Sequence, residues 1–255
     1  MIYTTAGRPT SSSIEEAKRL AHTYNGHYIN RRKRSVNELL NETQQPILVV
    51  GNNKLVLYVD SREPIFFHPN SAMFRCKSLM KGNSDPFVEA CGLREGMSLL
   101  DCTAGLASDS IVGSLATGSS GMVDACEGSL LGILLQEGLK KWKTGNEQID
   151  AAMSRVSITL KRYEEVLPTI PDNAYDVVYF DPMFEETILQ SDGVQGIRNV
   201  AIYDDLTIEM VKEAKRVARK RIVLKDFWKS DRFDQLGFDQ QIRKTSKFHY
   251  GIIEL

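Results

Sequence analysis

Four consecutive residues, Asp181, Pro182, Met183 and Phe184, place a carboxylate, a rigid turn and an aromatic ring directly after an apolar run. The exocyclic amine of guanine or adenine is a weak nucleophile because its lone pair is delocalised into the ring, so its attack on a methyl donor requires acceptors for both N–H bonds. Asp181 can accept one of these hydrogen bonds and the Pro182 carbonyl the other, while Phe184 can stack on a splayed base. The order of these residues predicts methylation of an amino nitrogen, although Asp-Pro is also a common turn former.

A second group of candidate residues surrounds Gly105, in a turn between an apolar run and a predicted helix. A dinucleotide site would have three glycines there, whose amides close on a pyrophosphate. This turn has a single glycine between Asp101 and Asp109, and two carboxylates would repel a diphosphate but suit the cationic S-adenosylmethionine. We therefore predict that S-adenosylmethionine is the cofactor, bound in this turn by Asp101, Thr103, Ala104, Gly105, Leu106 and Asp109.

Glu127 follows Gly105 by 22 residues, at the end of the next predicted strand. An acidic residue at this place accepts hydrogen bonds from ribose hydroxyls, so we predict that Glu127 also binds the cofactor. Arg162 and Tyr163 follow the third predicted strand and are candidates to flank the adenine. A solvated helix start is an equal alternative for these two residues.

A run of four cations, Arg31, Arg32, Lys33 and Arg34, lies shortly after two tyrosines near the N-terminus. Such a run can neutralise phosphates and position an RNA without reading its sequence, or it can be a solvated loop. Four further residues are weaker candidates for contact with RNA: His68, Arg75, Lys77 and Lys225. RNA is the predicted partner.

From Arg94 onward, apolar runs of strand length alternate with segments of helical period, which is typical of a parallel sheet covered by helices on both faces. The predicted strands are 97–102, 122–126, 156–160, 175–180 and 222–226, followed by two more within 238–255. The predicted helices are 108–116, 130–142, a short one at 163–167, and 207–218 with the cations 219–221 at its end. This order predicts a Rossmann-like α/β fold with a doubly wound, mostly parallel, seven-stranded sheet and an antiparallel edge.

The N-terminal residues differ in pattern and predict a separate small α/β domain. It comprises residues 1–70, with a strand at the start, a helix over 14–22 and short strands at 47–50, 54–59 and 64–67. Residues 71–92 are predicted to connect it to a cofactor-binding domain over 93–255. Within the connection, Ser84 or Asp85 can cap a helix.

The composition excludes several classes of protein. A net charge of −1 over 255 residues rules out a uniformly basic surface, so binding of nucleic acid requires a local patch. The four cysteines are scattered without metal-ligand spacing, which predicts reduced, buried thiols and no metal. The apolar runs are too short for a membrane span, and the N-terminus has no signal-peptide pattern, so we expect a cytoplasmic protein.

The chain resembles the bacterial family that methylates N2 of a guanine near the 3′ end of small-subunit ribosomal RNA. The resemblance covers roughly residues 75–255 and lies in three segments: Leu100 to Leu106 with Asp109, Asp181 to Phe184, and Val223 to Lys225. It implies that Asp101 to Asp109 and Glu127 bind S-adenosylmethionine, and that Asp181 engages the target base. It also implies that the substrate is this RNA, free or in a ribosomal particle.

Two other functions are compatible with the same residues. One is methylation of another substrate, such as DNA or a small molecule, and the other is binding of RNA by a protein that has the fold but no activity. The segment from Glu185 to Tyr203 is predicted to be either a loop that closes over the substrate or a plain surface loop.

Overall fold

The computed structural model describes residues 1–52, 54–61, 63–182 and 205–255. The described residues divide into two compact units, one of residues 1–68 and one of residues 69–182 with 205–255. Each unit has its own sheet. Among the described residues, no helix combines the length and the apolarity that crossing a bilayer requires.

The smaller unit is a four-stranded sheet with helices. Its strands follow the order β2-β1-β3-β4 and are β1 (Ile2–Thr5), β2 (His27–Tyr28), β3 (Ile47–Val50) and β4 (Leu55–Tyr58). Its helices are α1 (Ser11–Thr23) and α2 (Val36–Thr43). Thr10 caps α1 through its side chain, and Ser35 with Glu38 forms a capping box at the start of α2.

One prediction for this unit is wrong, and one of its helices was not predicted. The strand expected at 64–67 is only a single bridge, in which Ile65 pairs with Leu57. Pro64 has no N–H to donate, so the ladder cannot extend through it. Helix α2 was not predicted, because only Leu39 and Leu40 of its eight residues are buried and the periodic signal is short.

The larger unit contains a seven-stranded sheet in the order β10-β11-β9-β8-β5-β6-β7. Its strands are β5 (Ser98–Asp101), β6 (Met122–Cys126), β7 (Val156–Thr159), β8 (Tyr175–Phe180), β9 (Ala218–Phe227), β10 (Asp239–Gln241) and β11 (Phe248–Glu254). Five neighbouring strands, in the sheet order β7-β6-β5-β8-β9, are parallel. β11 pairs antiparallel with β9, and β10 pairs antiparallel with β11. The predicted fold class is confirmed.

Helices connect these strands in the order expected of a doubly wound fold. They are α3 (Asn70–Met80), α4 (Pro86–Cys91), α5 (Ser108–Thr117), α6 (Leu131–Lys141), α7 (Glu147–Arg155), α8 (Tyr163–Val166), α9 (Ile208–Val217) and α10 (Arg232–Gln235). The residues expected to connect two domains therefore form α3 and α4, and both helices belong to the larger unit. Asp85 caps α4 by accepting hydrogen bonds from the backbone N–H groups of Phe87 and Val88.

One helix boundary was wrong in a way that matters for the sheet. Arg219, Lys220 and Arg221 were expected at the end of a helix, but α9 ends at Val217 and the three cations lie within β9. Arg219 and Lys220 pair with Asp176 of the neighbouring strand at 3.0 and 3.1 Å. These cross-strand carboxylate contacts outweigh the preference of cations for a helix end.

Candidate active site

The carboxyl ends of β5, β6, β8 and β9 meet at one edge of the larger sheet, because these strands are parallel. The strand order reverses between β5 and β8, and a doubly wound sheet binds its ligands at such a switch point. Asp101 ends β5, and Asp181 directly follows β8. The two most informative segments of the sequence are therefore neighbours across the switch point.

The β5–α5 loop, residues 102–107, is fixed by hydrogen bonds to β6. The backbone N–H of Ala104 donates to the Cys126 carbonyl at 3.1 Å, and that of Gly105 donates to the Glu127 carboxylate at 3.0 Å. Gly105 and Ala107 have φ values of +54° and +58°, a region that costs a residue with a Cβ about 1–2 kcal/mol. Thr103, Gly105 and Leu106 are half-buried, whereas Ala104 is buried.

Asp101 is buried beneath this loop and shapes it. One carboxylate oxygen accepts from the backbone N–H of Thr103 at 3.0 Å, and the other accepts from the Ser110 hydroxyl at 2.5 Å. Burial raises the pKa of Asp101 to about 7, against the opposing effect of these two hydrogen bonds. Both of these donors are neutral groups.

Glu127 is half-buried and directly follows β6. The sequence predicted that an acidic residue in this place binds the ribose of the cofactor. Its carboxylate accepts from the backbone N–H groups of Gly105 and Ser129, at 3.0 and 2.9 Å. A carboxylate has about four lone-pair sites, so it retains capacity for two hydroxyl groups. Gly128 lets this strand end approach Arg162 closely, since an added Cβ would lie 2.9 Å from the Arg162 backbone nitrogen.

The two candidates for the adenine side have different surroundings. Arg162 lies beside Gly128 and pairs with Glu164 at 3.0 Å. Tyr163 is buried, and its ring packs edge-on against Phe180 with centroids 5.3 Å apart. Tyr163 therefore belongs to the core under the sheet edge, and only Arg162 of the two reaches the surface.

Asp181 connects the end of β8 to two other elements of the site. Its backbone N–H donates to the Thr103 hydroxyl at 2.6 Å, which links it to the β5–α5 loop. Its carboxylate pairs with the Lys225 ammonium of β9 at 2.5 Å. The side chain remains 24% exposed, so the carboxylate is still accessible to a substrate. Pro182, which follows, is buried.

Asp109 does not lie in the loop but joins the charges behind Asp181. It is 8% exposed, its carboxylate pairs with Arg75 and with Lys225, and it accepts a hydrogen bond from the Tyr179 hydroxyl. Arg75 also forms a two-bond contact with Asp85 at 2.8 and 2.9 Å. The charges therefore alternate through four side chains that we call the ion cluster: Arg75, Asp109, Lys225 and Asp181.

The ion cluster sets the protonation states of its members. Burial acts against ionisation of Asp109, but Lys225 and Arg75 outweigh it and lower its pKa to about 2. Burial also disfavours the charged form of Lys225, but Asp109 and Asp181 outweigh it and raise its pKa. Burial raises the pKa of Asp181, which Lys225 opposes and Asp109 reinforces. Lys225 is thus the cation that favours an ionised Asp181.

Lys225 and Thr103 have contacts that sequence reasoning did not assign. Lys225 was a candidate for RNA and Thr103 for the cofactor, yet each contacts Asp181. A signal existed for Lys225, because it lies near the end of the strand adjacent to β8 in the predicted order. No sequence signal indicated the contact of Thr103, because it depends on the path of the loop.

The basic segment of the smaller unit is only partly available for a partner. Arg31 and Arg34 donate to each other's backbone carbonyls at 2.9 and 3.0 Å, and Arg34 pairs with Glu42 at 2.5 Å. Arg32 and Lys33 are exposed. His68 and Lys77 are exposed as well, whereas Arg75 is held in the ion cluster.

Three sequence predictions have distinct outcomes. Phe184 and the segment from Glu185 to Tyr203 lie outside the described residues. The described residues contain no group of three or more His, Cys, Asp or Glu side chains that could hold a metal ion. The four cysteines are free and buried, as expected, and burial raises the pKa of each thiol, to about 11 for Cys76 and about 12 for Cys126.

Comparison of sequences shows which known proteins the chain is similar to. Residues 32–249 match the family model of SAM-dependent methyltransferases. The uncharacterized protein YpiP of Bacillus subtilis is 44% identical over 254 residues, which is 99% of each chain. Ribosomal RNA small subunit methyltransferase J of Buchnera aphidicola is 27% identical over 195 residues, covering 72% of this chain and 76% of that protein. The protein of the same name from Hahella chejuensis is 33% identical over 152 residues, covering 56% of this chain and 54% of that protein.

Comparison of structures supports the fold. The SAM-dependent methyltransferase of known structure from Neisseria gonorrhoeae has a TM-score of 0.63 to this chain. The match covers 100% of this chain and 96% of that one at 16% sequence identity. At this identity the match shows a shared fold alone.

Proposed function

Because the chain belongs to the family of SAM-dependent methyltransferases, we propose that it methylates the N2 amine of a guanine in small-subunit ribosomal RNA. The proposal depends above all on Asp181, an accessible carboxylate at the switch point that is paired with Lys225 and tied to the β5–α5 loop by Thr103. A carboxylate in this place suits a substrate that presents N–H bonds. The family assignment makes the chain an enzyme that uses S-adenosylmethionine, and not the inactive RNA-binding protein considered as an alternative.

The residues of the β5–α5 loop fit this cofactor. Bound S-adenosylmethionine supplies a methyl group on a positively charged sulfur. Glu127 offers a half-buried carboxylate with lone pairs left for ribose hydroxyls, and the loop has no cation that would disfavour a positive ligand. Asp101 acts behind the loop, because both of its oxygens already accept hydrogen bonds from Thr103 and Ser110.

Asp181 and its neighbours provide positioning for the acceptor amine. The Asp181 carboxylate accepts one N–H of the amine, and the Pro182 carbonyl accepts the other. Lys225 favours the ionised form of Asp181, which is the stronger acceptor. The hydrogen bond from Asp181 to Thr103 fixes the distance between this acceptor and the loop, and such positioning is the main contribution an enzyme makes to in-line displacement.

The choice of RNA as substrate rests on the relatives and on exposed cations. Two of the similar proteins are named as small-subunit ribosomal RNA methyltransferases. Arg32 and Lys33 are exposed cations that suit contacts with phosphates. DNA and small molecules are the alternative substrates, and the site geometry alone does not favour either.

One experiment tests the proposal directly. The purified enzyme is incubated with S-adenosylmethionine labelled on its methyl group and with RNA from a strain that lacks the gene. We expect label on the exocyclic nitrogen of one guanine of the small-subunit RNA, in naked RNA or in the small-subunit particle. Label that appears only in DNA or in a small molecule, or on another base, would contradict the proposal.

A further inference from the structure

We propose that the turn after β9 and the tip of the β10–β11 hairpin form a docking surface for single-stranded RNA next to the acceptor site. This inference rests on the proposed function and deepens it. The surface, which we call the hairpin surface, consists of Trp228, Lys229, Ile242, Lys244 and Lys247. None of these residues was singled out from the sequence.

The hairpin surface lies at the same edge of the sheet as Asp181. Lys225, which pairs with Asp181, is in β9 and is followed three residues later by Trp228. At a rise of about 3.3 Å per residue, Trp228 is about 10 Å further along the chain. Phe227 at the end of β9 pairs with Phe248 at the start of β11, so the hairpin tip begins at this edge as well.

Two large apolar side chains are exposed on this surface. Trp228 is 44% exposed and Ile242 is 78% exposed. The Lys229 ammonium lies over the Trp228 ring, 4.7 Å from its centroid. An exposed aromatic ring beside a cation is the combination on which single-stranded nucleic acids stack, since every base has a π-face and every nucleotide a phosphate.

The hairpin tip is also strongly positive. Residues 242–247 contain Arg243, Lys244 and Lys247 and no carboxylate. Of the acidic residues near this surface along the chain, Asp226 is buried and bonded to Ser230 and Arg232, whereas Asp231 and Asp239 are exposed and offset part of the positive charge. Neutralisation of phosphates by such a group releases counterions and gives a binding constant that depends on salt.

The backbone holds the tip in a defined position. The Trp228 N–H donates to the Lys247 carbonyl at 3.0 Å, and the Gln240 side chain donates to the Trp228 carbonyl at 2.8 Å. Arg243 stacks over Tyr250 at 5.7 Å and donates to the Phe248 carbonyl. The turn and the hairpin are therefore connected, and the backbone of the tip needs little ordering on binding.

The test compares two triple variants of the full-length enzyme. K229Q/K244Q/K247Q removes three positive charges from the hairpin surface but leaves Arg243 in place. K140Q/K212Q/K215Q removes three exposed charges from helices α6 and α9 and is the matched control. For each protein, RNA binding is measured by fluorescence anisotropy at several salt concentrations, and KM for RNA and kcat are measured by methyl transfer.

We expect the hairpin variant to bind RNA more weakly, with the slope of log K against log salt smaller in magnitude by about 2, while the control variant matches the unmodified enzyme. W228A is expected to raise KM for RNA about tenfold with kcat little changed. W228F keeps an aromatic ring and should have a KM for RNA close to that of the unmodified enzyme. KM for S-adenosylmethionine should not change in any of these variants, since none of the substituted residues lies in the β5–α5 loop.

Three outcomes separate the possible failures. If the unmodified enzyme methylates no RNA, the proposed function fails and the docking surface fails with it. If it methylates RNA but the hairpin variant keeps the slope and KM of the control, the docking surface alone is overturned. If the hairpin variant loses activity only on the ribosomal particle and not on naked RNA, the surface binds a protein of the particle, which also overturns the inference.

Discussion

Two buried carboxylates in one segment, Asp101 and Asp109, have pKa values that are shifted in opposite directions. Burial raises the pKa of Asp101 to about 7, while Lys225 and Arg75 overcome burial and lower that of Asp109 to about 2. The partners of Asp101 are neutral donors of the β5–α5 region, and those of Asp109 are the cations of the ion cluster. The charge of the partners, more than burial, therefore decides which side of the site keeps a fixed charge at neutral pH.

The two regions are the neutral surroundings of Asp101 and the ion cluster. The largest effect that distinguishes them is expected from D181A. Loss of the acceptor should lower kcat about 100-fold to 1000-fold, the cost of removing one transition-state hydrogen-bond partner. The affinity for S-adenosylmethionine should stay nearly the same, because Thr103 is bonded by the backbone of Asp181 and not by its side chain. Single-turnover kinetics and calorimetric titration with the cofactor measure the two quantities.

D181N is the matched control for this change. Its amide oxygen still accepts a hydrogen bond but carries no charge, so we expect activity between those of D181A and the unmodified enzyme. Lys225 retains Asp109 as a partner in both variants, and the fold should persist. A parallel fall in cofactor affinity would mean that Asp181 belongs to the cofactor side.

The next largest effect is expected for K225M, which removes the central cation of the ion cluster. The buried carboxylate of Asp109 and the half-buried one of Asp181 then lose a partner, and the free energy of unfolding should fall by about 3 kcal/mol. The pKa of Asp181 should rise further, because Lys225 opposes the increase that burial causes. The acid limb of the kcat profile should therefore move to higher pH, as measured by methyl transfer over a pH series.

K225R keeps the charge and serves as the control for K225M. It should restore the stability and most of the pH profile, because an arginine can still pair with both carboxylates. A K225M enzyme that is less stable but has an unchanged profile would show that Lys225 only supports the fold. It would then have no part in holding Asp181 ionised.

The sequence was enough to predict the sheet and the edge of it at which the candidate site residues lie. The apolar runs at β5, β6, β8 and β9 and the helical segments between them determine a parallel order, and that order brings Asp101, Glu127 and Asp181 to one edge. These predictions depend on periodicity and strand order, which are local features and general rules. Neither requires knowledge of a side-chain conformation.

The division of acidic residues between the two regions was not predictable in the same way. Asp101 and Asp109 both fall in the segment expected to bind the cofactor, yet Asp109 points to Arg75 of α3. Helix α3 lies mostly in residues that were expected to form a connection, and Arg75 was a candidate for contact with RNA, so its pairing with Asp109 was not expected. Which buried acid gains an ionic partner depends on long-range packing, which local patterns in the sequence do not show.

A smaller effect is expected from D101N as a function of pH. The folded pKa of Asp101, about 7, exceeds the unfolded value of about 3.9, so the unmodified protein loses stability from this group as the pH rises through that window. Because D101N lacks the group, the difference in free energy of unfolding should shift in favour of D101N by at most about 3 kcal/mol between about pH 4.5 and pH 7.5.

Urea unfolding over this pH series measures the difference. Asp109 does not contribute to it, because a lowered folded pKa gives stability that is complete above about pH 4 and is lost only on further acidification. Parallel stability curves for D101N and the unmodified protein would show that the carboxyl of Asp101 is ionised throughout. The contrast between the two regions would then be lost.

The smallest effect is expected from substitution of two serines of α5. Their comparison tests whether the neutral partners of Asp101 leave its pKa at about 7. Ser110 donates to the Asp101 carboxylate at 2.5 Å and Ser114 donates to the Ala152 carbonyl at 2.7 Å, and both serines are completely buried. S110A and S114A should each cost about 1 kcal/mol. The cost of S110A should grow from about pH 6 to pH 8, since a hydrogen bond to an ionised carboxylate is stronger, while that of S114A stays constant. Equal, flat costs in urea unfolding would mean that Asp101 does not change its charge in this range.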